Sequence, residues 1–456
     1  MVSTIGIVSL SSGVIGEDFV KHEVDLGIQR LKDLGLNPIF LPHSQKGLDF
    51  IKDHPEARAE DLMQAFSDDS IDMILCAIGG DDTYRLLPYL FENDQLQKVI
   101  KPKIFLGFSD TTMNHLMLHK LGIKTFYGQS FLADICELDE EMLPYSLHYF
   151  KELIETGKIS EIRPSDVWYE ERTDFSPKAL GTARISHVNT GFDLLQGNAQ
   201  FEGEILGGCL ESLYDIFDNS LYADSTELCK KYKLFPDLSD WEGKILLLET
   251  SQEKPKPEDF KKMLRTLKDT GIFEVISGLL VGKPMDETFY DDYKEALLDI
   301  IDNNIPIVYN LNVGHATPRA IVPFGVYAYV DAKEQVIRFD YNKNKQFLHF
   351  CAFVLIFANF YDIFLKEVNM TKQKINQIVG SIGAFIGIIV FIAYIPQIFA
   401  NLQGNKAQPF QPLSAAVSCL IWVIYGWTKE PKKDWILIIP NSAGVVLGGL
   451  TFLTAL

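Results

Sequence analysis

The 22 residues Trp435–Leu456 carry no charged side chain, and neither do the 22 residues Ile378–Phe399. A helix of about 20 apolar residues spans the hydrocarbon core of a bilayer, where every backbone group must bond within its own segment. A third uncharged run, Pro412–Trp427, is slightly shorter. The three runs predict three transmembrane helices. Trp422, Trp427 and Trp435 fall where interfacial aromatics occur. A fourth apolar stretch, Phe347–Leu365, is interrupted by Asn359 and Asp362 and reads equally well as a span or as a junction segment.

The charge divides the chain in the same way. The 456 residues carry a net −19. From Asn342 onward nine lysines stand against four acids, a net of +5, which leaves −24 on residues 1–341. A chain of this charge is not a general nucleic-acid binder. Lys366, Lys372 and Lys374 precede the first firm span, and Lys429, Lys432 and Lys433 lie between the second and third. The loop between the first two has Lys406 alone. By the positive-inside rule the lysine-rich loops face the cytoplasm, and with them the acidic part. The N-terminus has neither a basic n-region nor a long apolar core, so it reads as a buried strand rather than a signal peptide. The six cysteines form no C-x-x-C pair, which gives a zinc site no support and fits reduced thiols. No metal and no cofactor is expected.

Within residues 1–341 short β-branched runs alternate with amphipathic segments. Strands are predicted at Ile5–Leu10, Pro38–Leu41, Asp72–Ile78 and Lys103–Phe108, with a helix over Glu17–Leu34. The continuous apolar runs suit a parallel sheet covered on both faces. Residues 160–200 read as polar and irregular. Further strands are predicted at Lys244–Glu249, Ile276–Val281, Pro306–Tyr309 and Val326–Asp331. The expected fold is a two-subdomain α/β protein, with a parallel sheet in its N-terminal part and a β-rich α/β C-terminal part, followed by an all-α membrane three-helix bundle. The expected segments are 1–160, a connecting region 161–200, 201–341, an apolar junction 342–370 and the membrane part 371–456.

Gly107-Phe108-Ser109-Asp110-Thr111-Thr112 places a serine between a strand end and an apolar-periodic helix, at the carboxyl edge of the sheet. Ser109 is either a helix N-cap or a nucleophile beside a helix N-terminus that stabilises developing negative charge. Thr111 stands where a G-x-S-x-G elbow has its second glycine. Ile78-Gly79-Gly80-Asp81-Asp82 also follows a strand; the Gly80 amide can pair with that of Asp110 as an oxyanion donor, or the segment is a tight turn. It lacks the Lys-Ser/Thr of a P-loop. His315, in Gly314-His315-Ala316-Thr317-Pro318, sits in a strand-end turn as a general base would. Glu249 ends a strand and can orient it, or is a solvated strand end. His115 and His119 are spaced i, i+4 but lack the glutamate of H-E-x-x-H, and read as a helix pair.

Taken together, AIGGDDTYRLLPYL (77–90), FLGFSDTTMNHL (105–116), FEGEILGGCLESL (201–213), ILLLETSQEKP (245–255) and VGHATPRAIVPFGV (313–326) resemble the LD-carboxypeptidase family of serine peptidases. The resemblance is closest to its microcin C self-immunity branch. It implies a Ser–His–Glu triad of Ser109, His315 and Glu249. Glu211 is a competing acid, but the strand-end setting and the spacing to His315 favour Glu249. The resemblance also implies a loop Trp168 that stacks on an aromatic ligand. Cys209 stands where many relatives have Asn. The implied substrate has an amide beside a carboxylate, as in an L,D-murein peptide or the aminoacyl-nucleotide of processed microcin C. An acidic substrate would need a local arginine such as Arg172 or Arg319. The family also implies a homodimer.

Residues 371–456 resemble the bacterial SemiSWEET sugar transporters, through Tyr394-Ile395-Pro396-Gln397, IWVIYGW (421–427) and PNSAG (440–444). Pro396 would kink a gating helix, followed by Gln397. Trp422 and Asn441 are implied in a pocket for a mono- or disaccharide; alone, they read as an interfacial Trp and an Asn between helices. Three spans enclose no path, so the resemblance implies a dimer of halves. The apolar runs and the SemiSWEET resemblance place the chain at a bacterial cell membrane, with the peptidase-like part in the cytoplasm.

Overall fold

The computed structural model describes residues 1–343, 380–381, 383–388, 391–392, 394–402, 406 and 410–455. Phe347–Leu365 and nearly all of the 342–370 junction lie outside the described residues. The chain divides into two compact units, Met1–Leu348 and His349–Leu456.

The first unit opens on a six-stranded sheet. Its order is Val322–Phe324, Thr125–Tyr127, Ile104–Gly107, Met73–Cys76, Thr4–Val8 and Asn37–Phe40. All pairs are parallel except Val322–Phe324, which runs antiparallel to Thr125–Tyr127. Ile5 aligns with Met73 and Ile7 with Leu75, all fully buried, as expected of strands covered on both faces. The first strand lies between the second and the third. The chain therefore leaves it in one direction and later returns on its other side, and the crevice at such a reversal lies beyond the carboxyl ends of the strands. The segments just past those ends are Ser9–Ser12, Ile78–Gly80 and Phe108–Asp110.

The helix expected over Glu17–Leu34 is shorter, Lys21–Asp33, preceded by single turns at Val14–Gly16 and Asp18–Val20. Val24 and Leu31 are buried on its inner face.

The second sheet has eight strands, in the order Glu161–Ile162, Val336–Asp340, Tyr327–Asp331, Gln200–Cys209, Ile245–Glu249, Gly278–Gly282, Ile307–Leu311 and Asp193–Gln196. Gln200–Cys209 joins its two halves. The first half of this strand pairs antiparallel with Tyr327–Asp331, and the second half pairs parallel with Ile245–Glu249. Sequence periodicity does not reveal this strand, because Gly203, Gly207 and Gly208 interrupt its alternation. All three glycines are required by close packing: a Cβ on Gly203 would meet the Gly243 carbonyl oxygen at 2.3 Å, one on Gly207 the Leu247 carbonyl oxygen at 2.0 Å, and one on Gly208 Thr112 Oγ1 at 2.3 Å. The region 160–200 also differs from the irregular reading. Val167–Tyr169 and Ser186–Val188 form a two-stranded antiparallel ribbon.

In the second unit, Phe410–Thr428 and Trp435–Ala455 are long and apolar enough to cross a membrane, with mean hydropathies of 1.3 and 1.9. Tyr394–Leu402 is a further apolar helix. Small residues let the helices approach. A Cβ on Gly444 would meet Cys419 Sγ at 2.4 Å, and one on Gly448 would meet the Pro412 carbonyl oxygen at 3.1 Å. The buried Asn401 amide donates to the Thr451 carbonyl at 3.3 Å and to Thr454 Oγ1 at 3.2 Å, tying Tyr394–Leu402 to Trp435–Ala455.

Candidate active site

Three strand ends of the first unit converge on one imidazole. His315 Nε2 lies 3.0 Å from Ser109 Oγ. His315 Nδ1 lies 2.7 Å from Glu249 Oε2, which also accepts the His315 backbone N–H at 3.1 Å. Ring and amide thus share one carboxylate oxygen, which fixes the plane of the imidazole. The other oxygen, Oε1, accepts from the Tyr127 hydroxyl at 2.6 Å. An imidazole held between a hydroxyl and a buried carboxylate can take the hydroxyl proton and be stabilised as its cation.

Ser109 sits one residue past the end of Ile104–Gly107, after Phe108, with φ of 65°. A non-glycine residue in the left-handed region is strained by about 1–3 kcal/mol unless its surroundings hold it there. Two neighbours hold it. The Ser109 amide donates to Tyr127 Oη at 3.1 Å, and Thr112 Oγ1 donates to the Ser109 carbonyl at 2.7 Å. Gly79 makes the room: a Cβ there would lie 2.6 Å from Ser109 Cβ and 2.7 Å from Ser109 Oγ. Gly314 has the same task beside the acid, since its Cβ would meet Glu249 Oε2 at 2.3 Å.

The Gly79–Gly80 turn is fixed from beneath by a buried polar network. Asp110 accepts from Ser11 Oγ at 2.5 Å and from the Thr83 amide and hydroxyl at 2.9 and 2.6 Å. Burial pushes the Asp110 carboxyl up, against the Ser11 and Thr83 hydrogen bonds. Asp82 is paired with the fully buried Arg58 at 2.5 Å. The side chain of Asp110 is therefore structural, and its backbone amide, in the single turn Ser109–Thr111, has no acceptor within that turn. The Gly80 amide likewise has no backbone acceptor among the described residues.

Glu211 accepts the Ser251 amide at 2.8 Å and forms no hydrogen bond with His315 among the described residues. Cys209 Sγ comes close enough to Glu249 and His315 for the three to share an ion. Both Glu249 oxygens already accept hydrogen bonds, however, and burial holds the Cys209 thiol well above its ordinary pKa. His115 is buried, bonded to Thr125 Oγ1 at 2.7 Å and to the Gly107 carbonyl at 3.1 Å, and burial lowers its pKa to about 4.

A cavity of about 520 Å³ opens over Ser109 and His315, with Gly79, Gly80 and Phe108 on one side and Leu132, Glu137, Arg172 and Arg184 on another. Arg172 and Arg184 each reach Glu137 at 2.7 Å, and Arg184 also reaches Glu171 at 3.2 Å. Arg319 is bound to Asp134 at 3.0 Å and to the His315 carbonyl at 2.9 Å. Both arginines expected to meet an acidic substrate therefore hold internal partners. Trp168 does not line this cavity. It is buried, stacked on His187 with centroids 4.4 Å apart, and has Lys283 Nζ 5.1 Å from its ring.

Tyr127, Glu137 and Glu23, which also lines the cavity, carry no local sequence signal. Only the return of distant segments to one sheet edge brings them to the site.

In the second unit Pro396 and Gln397 lie in Tyr394–Leu402. Trp422 is half-exposed, edge-on to Tyr425 at 5.7 Å. Asn441 donates to the Leu437 carbonyl one turn back at 2.8 Å. No hydrogen bond among the described residues joins Trp422 to Asn441.

Known proteins share both units. Residues 5–128 match the LD-carboxypeptidase N-terminal domain, and residues 202–330 match the LD-carboxypeptidase C-terminal domain. Residues 377–454 match the sugar efflux transporter for intercellular exchange. A putative carboxypeptidase of Vibrio cholerae is 26% identical over 296 residues, covering 62% of this chain and 79% of its own. The microcin C7 self-immunity protein MccF of Escherichia coli is 24% identical over 287 residues, covering 60% and 75%. A crystal structure of an MccF-like protein from Streptococcus pneumoniae in complex with AMP is 92% identical, with a TM-score of 0.75, covering 75% of this chain and all of that one. The chain belongs to the LD-carboxypeptidase family, with an MccF-like α/β peptidase fold in its N-terminal part and a SWEET-like domain at its C-terminus.

Proposed function

We propose that the chain is a serine peptidase that cleaves an amide next to a carboxylate, tethered to a SWEET-like membrane unit. The observation that carries this reading is the hydrogen-bonded chain from Ser109 Oγ through His315 to Glu249. Ser109 Oγ attacks the amide carbon while His315 Nε2 takes its proton. Glu249 holds the ring and stabilises the imidazolium. The oxyanion faces the amides of Gly80 and Asp110, which stay in place whether or not charge develops there. The tetrahedral intermediate collapses and the amine leaves with the proton from His315. Water, deprotonated by His315, then hydrolyses the Ser109 ester and restores the hydroxyl.

Between the two substrate classes, the 92% identical relative crystallised with AMP favours an aminoacyl-nucleotide over an L,D-murein peptide. Incubating the full chain in detergent with an aminoacyl-sulfamoyl adenosine and with a murein tetrapeptide, and comparing kcat/KM by mass spectrometry of the products, tests the choice. Faster cleavage of the nucleotide conjugate supports it, and faster cleavage of the tetrapeptide reverses it. Trp168 contributes to a nucleotide only after His187 moves from its face.

Residues 371–456 form, in this reading, half of a sugar pathway at a bacterial membrane. Pro396 and Gln397 are at the gate, Trp422 and Asn441 bind a mono- or disaccharide, and a second copy completes the path. The peptidase part, residues 1–341, lies on the cytoplasmic side. The match of 377–454 to sugar transporters also supports a second reading, a sugar carrier with an accessory soluble domain. Sugar uptake into proteoliposomes that is lost in Trp422→Ala and Asn441→Ala, with no peptidase activity in the same preparation, would favour that second reading.

A further inference from the structure

Glu23 is the one charged side chain on the wall of the Ser109 cavity for which no hydrogen bond is formed among the described residues. It lies in the first turn of Lys21–Asp33, is 5% exposed, and lines the cavity with Ser109 and His315. His22 Nε2 stands 4.0 Å from its carboxylate, beyond hydrogen-bond reach. The arginines around it are spoken for, Arg172 and Arg184 by Glu137 and Arg319 by Asp134. With Asp134, Glu137 and Glu171 included, four carboxylates stand against the three arginines Arg172, Arg184 and Arg319 around this cavity. A buried carboxyl without a partner is costly, and a cationic ligand group removes that cost.

We infer that Glu23 receives a primary ammonium group of the substrate while Ser109 attacks its amide, an inference that rests on the peptidase reading above. An ammonium in this position accounts for a carboxyl that has His22 at 4.0 Å but no hydrogen-bond partner, and for the surplus of acid. It also explains why the arginines are neutralised by Glu137 rather than left free for a substrate carboxylate. Two sources have this chemistry: the free α-ammonium of an aminoacyl-nucleotide, and the side-chain ammonium of a diamino acid in a murein peptide. Burial raises the Glu23 pKa to about 7, with Glu137 adding to the rise and Arg172 opposing it, as suits a carboxyl that ionises fully only against a cation.

The test measures binding to the full chain in detergent with Ser109→Ala, so that no turnover is needed. One pair of ligands is aspartyl-sulfamoyl adenosine and its succinyl counterpart, which differ only in the α-ammonium. The other is a murein tetrapeptide carrying lysine or norleucine. The expected result is about tenfold tighter binding of the ammonium member in one pair, as for a hydrogen bond to a charged group. That pair identifies the source. Adding Glu23→Gln should bring the ratio to about one. A ratio near one in both pairs before Glu23 is changed, or a preference that survives Glu23→Gln, overturns the inference. Cleavage of the same ligands by the unsubstituted chain is scored separately. If the binding preference is present and cleavage is absent, the peptidase reading fails and the Glu23 assignment stands.

Discussion

Tyr127 joins the backbone of Ser109 to the side chain of Glu249: its hydroxyl accepts the Ser109 amide at 3.1 Å and donates to Glu249 Oε1 at 2.6 Å. One phenol therefore fixes the strained turn of the proposed nucleophile and the orientation of the proposed acid. Burial, reinforced by the Glu249 charge, pushes the phenol pKa up, so it remains a donor to Glu249.

Tyr127→Phe removes a hydrogen bond to a charged group, worth about 1.5–3 kcal/mol, and leaves the Ser109 amide without its acceptor. The ring stays packed on Phe324, stacked at 5.2 Å. The expected outcome is a fall in kcat of about 10- to 100-fold with KM little changed, checked by steady-state kinetics. A change confined to KM would place Tyr127 in substrate binding instead.

Gly79→Ala pushes a methyl to within 2.7 Å of Ser109 Oγ, a contact that the backbone must relieve. Because Ser109 already sits at φ 65°, the relief displaces the hydroxyl from His315. Activity should fall at least about 100-fold, since a shift of 1 Å at a reacting group has that cost. Melting of the variant should stay within a few degrees of the parent. Full activity in the Gly79→Ala variant would mean that Ser109 Oγ does not act from this position.

Glu23 also makes stability depend on pH in a defined direction. Its folded-state pKa is raised, mainly by burial, from 4.5 to about 7. A carboxyl raised on folding stabilises the fold fully below about pH 4.5 and loses that contribution as pH rises through about 7. The groups facing it are His22, Cys136, Glu137 and Arg172. Glu23→Gln should therefore melt higher than the parent at pH 8, by the equivalent of about 1–3 kcal/mol, and like the parent at pH 4. A difference that is constant across this range would count against the buried, raised carboxyl. Asp215, likewise raised to about 7 by burial and by Asp110, contributes the same sign in both proteins and cancels in the comparison.

Much of the site could be read from residue order. Ser109 and His315 follow apolar strands and Glu249 ends one, so their sequence neighbours announce an edge where side chains meet a crevice. The apolar stretches at 410–428 and 435–455 announced their helices through absence of charge alone. Tyr127, Glu23 and Glu137 were not legible, because nothing in a strand-end tyrosine or a first-turn glutamate says which distant segment it will face. Gln200–Cys209 was hidden because its glycines, required by Gly243, Leu247 and Thr112, erase the alternation that marks a strand. Trp168 carried a clear signal from resemblance, yet its ring is stacked on His187, a pairing set by the register of Trp168 against His187 in the short ribbon.

The most direct measurement is the release of sulfamoyl adenosine from an aminoacyl-sulfamoyl adenosine by the full chain and by Ser109→Ala, followed by mass spectrometry. The unsubstituted chain should release it steadily, and Ser109→Ala should be slower by about 10⁴-fold or more. Equal rates from the two proteins would contradict a nucleophilic Ser109 and the hydrolysis built on it.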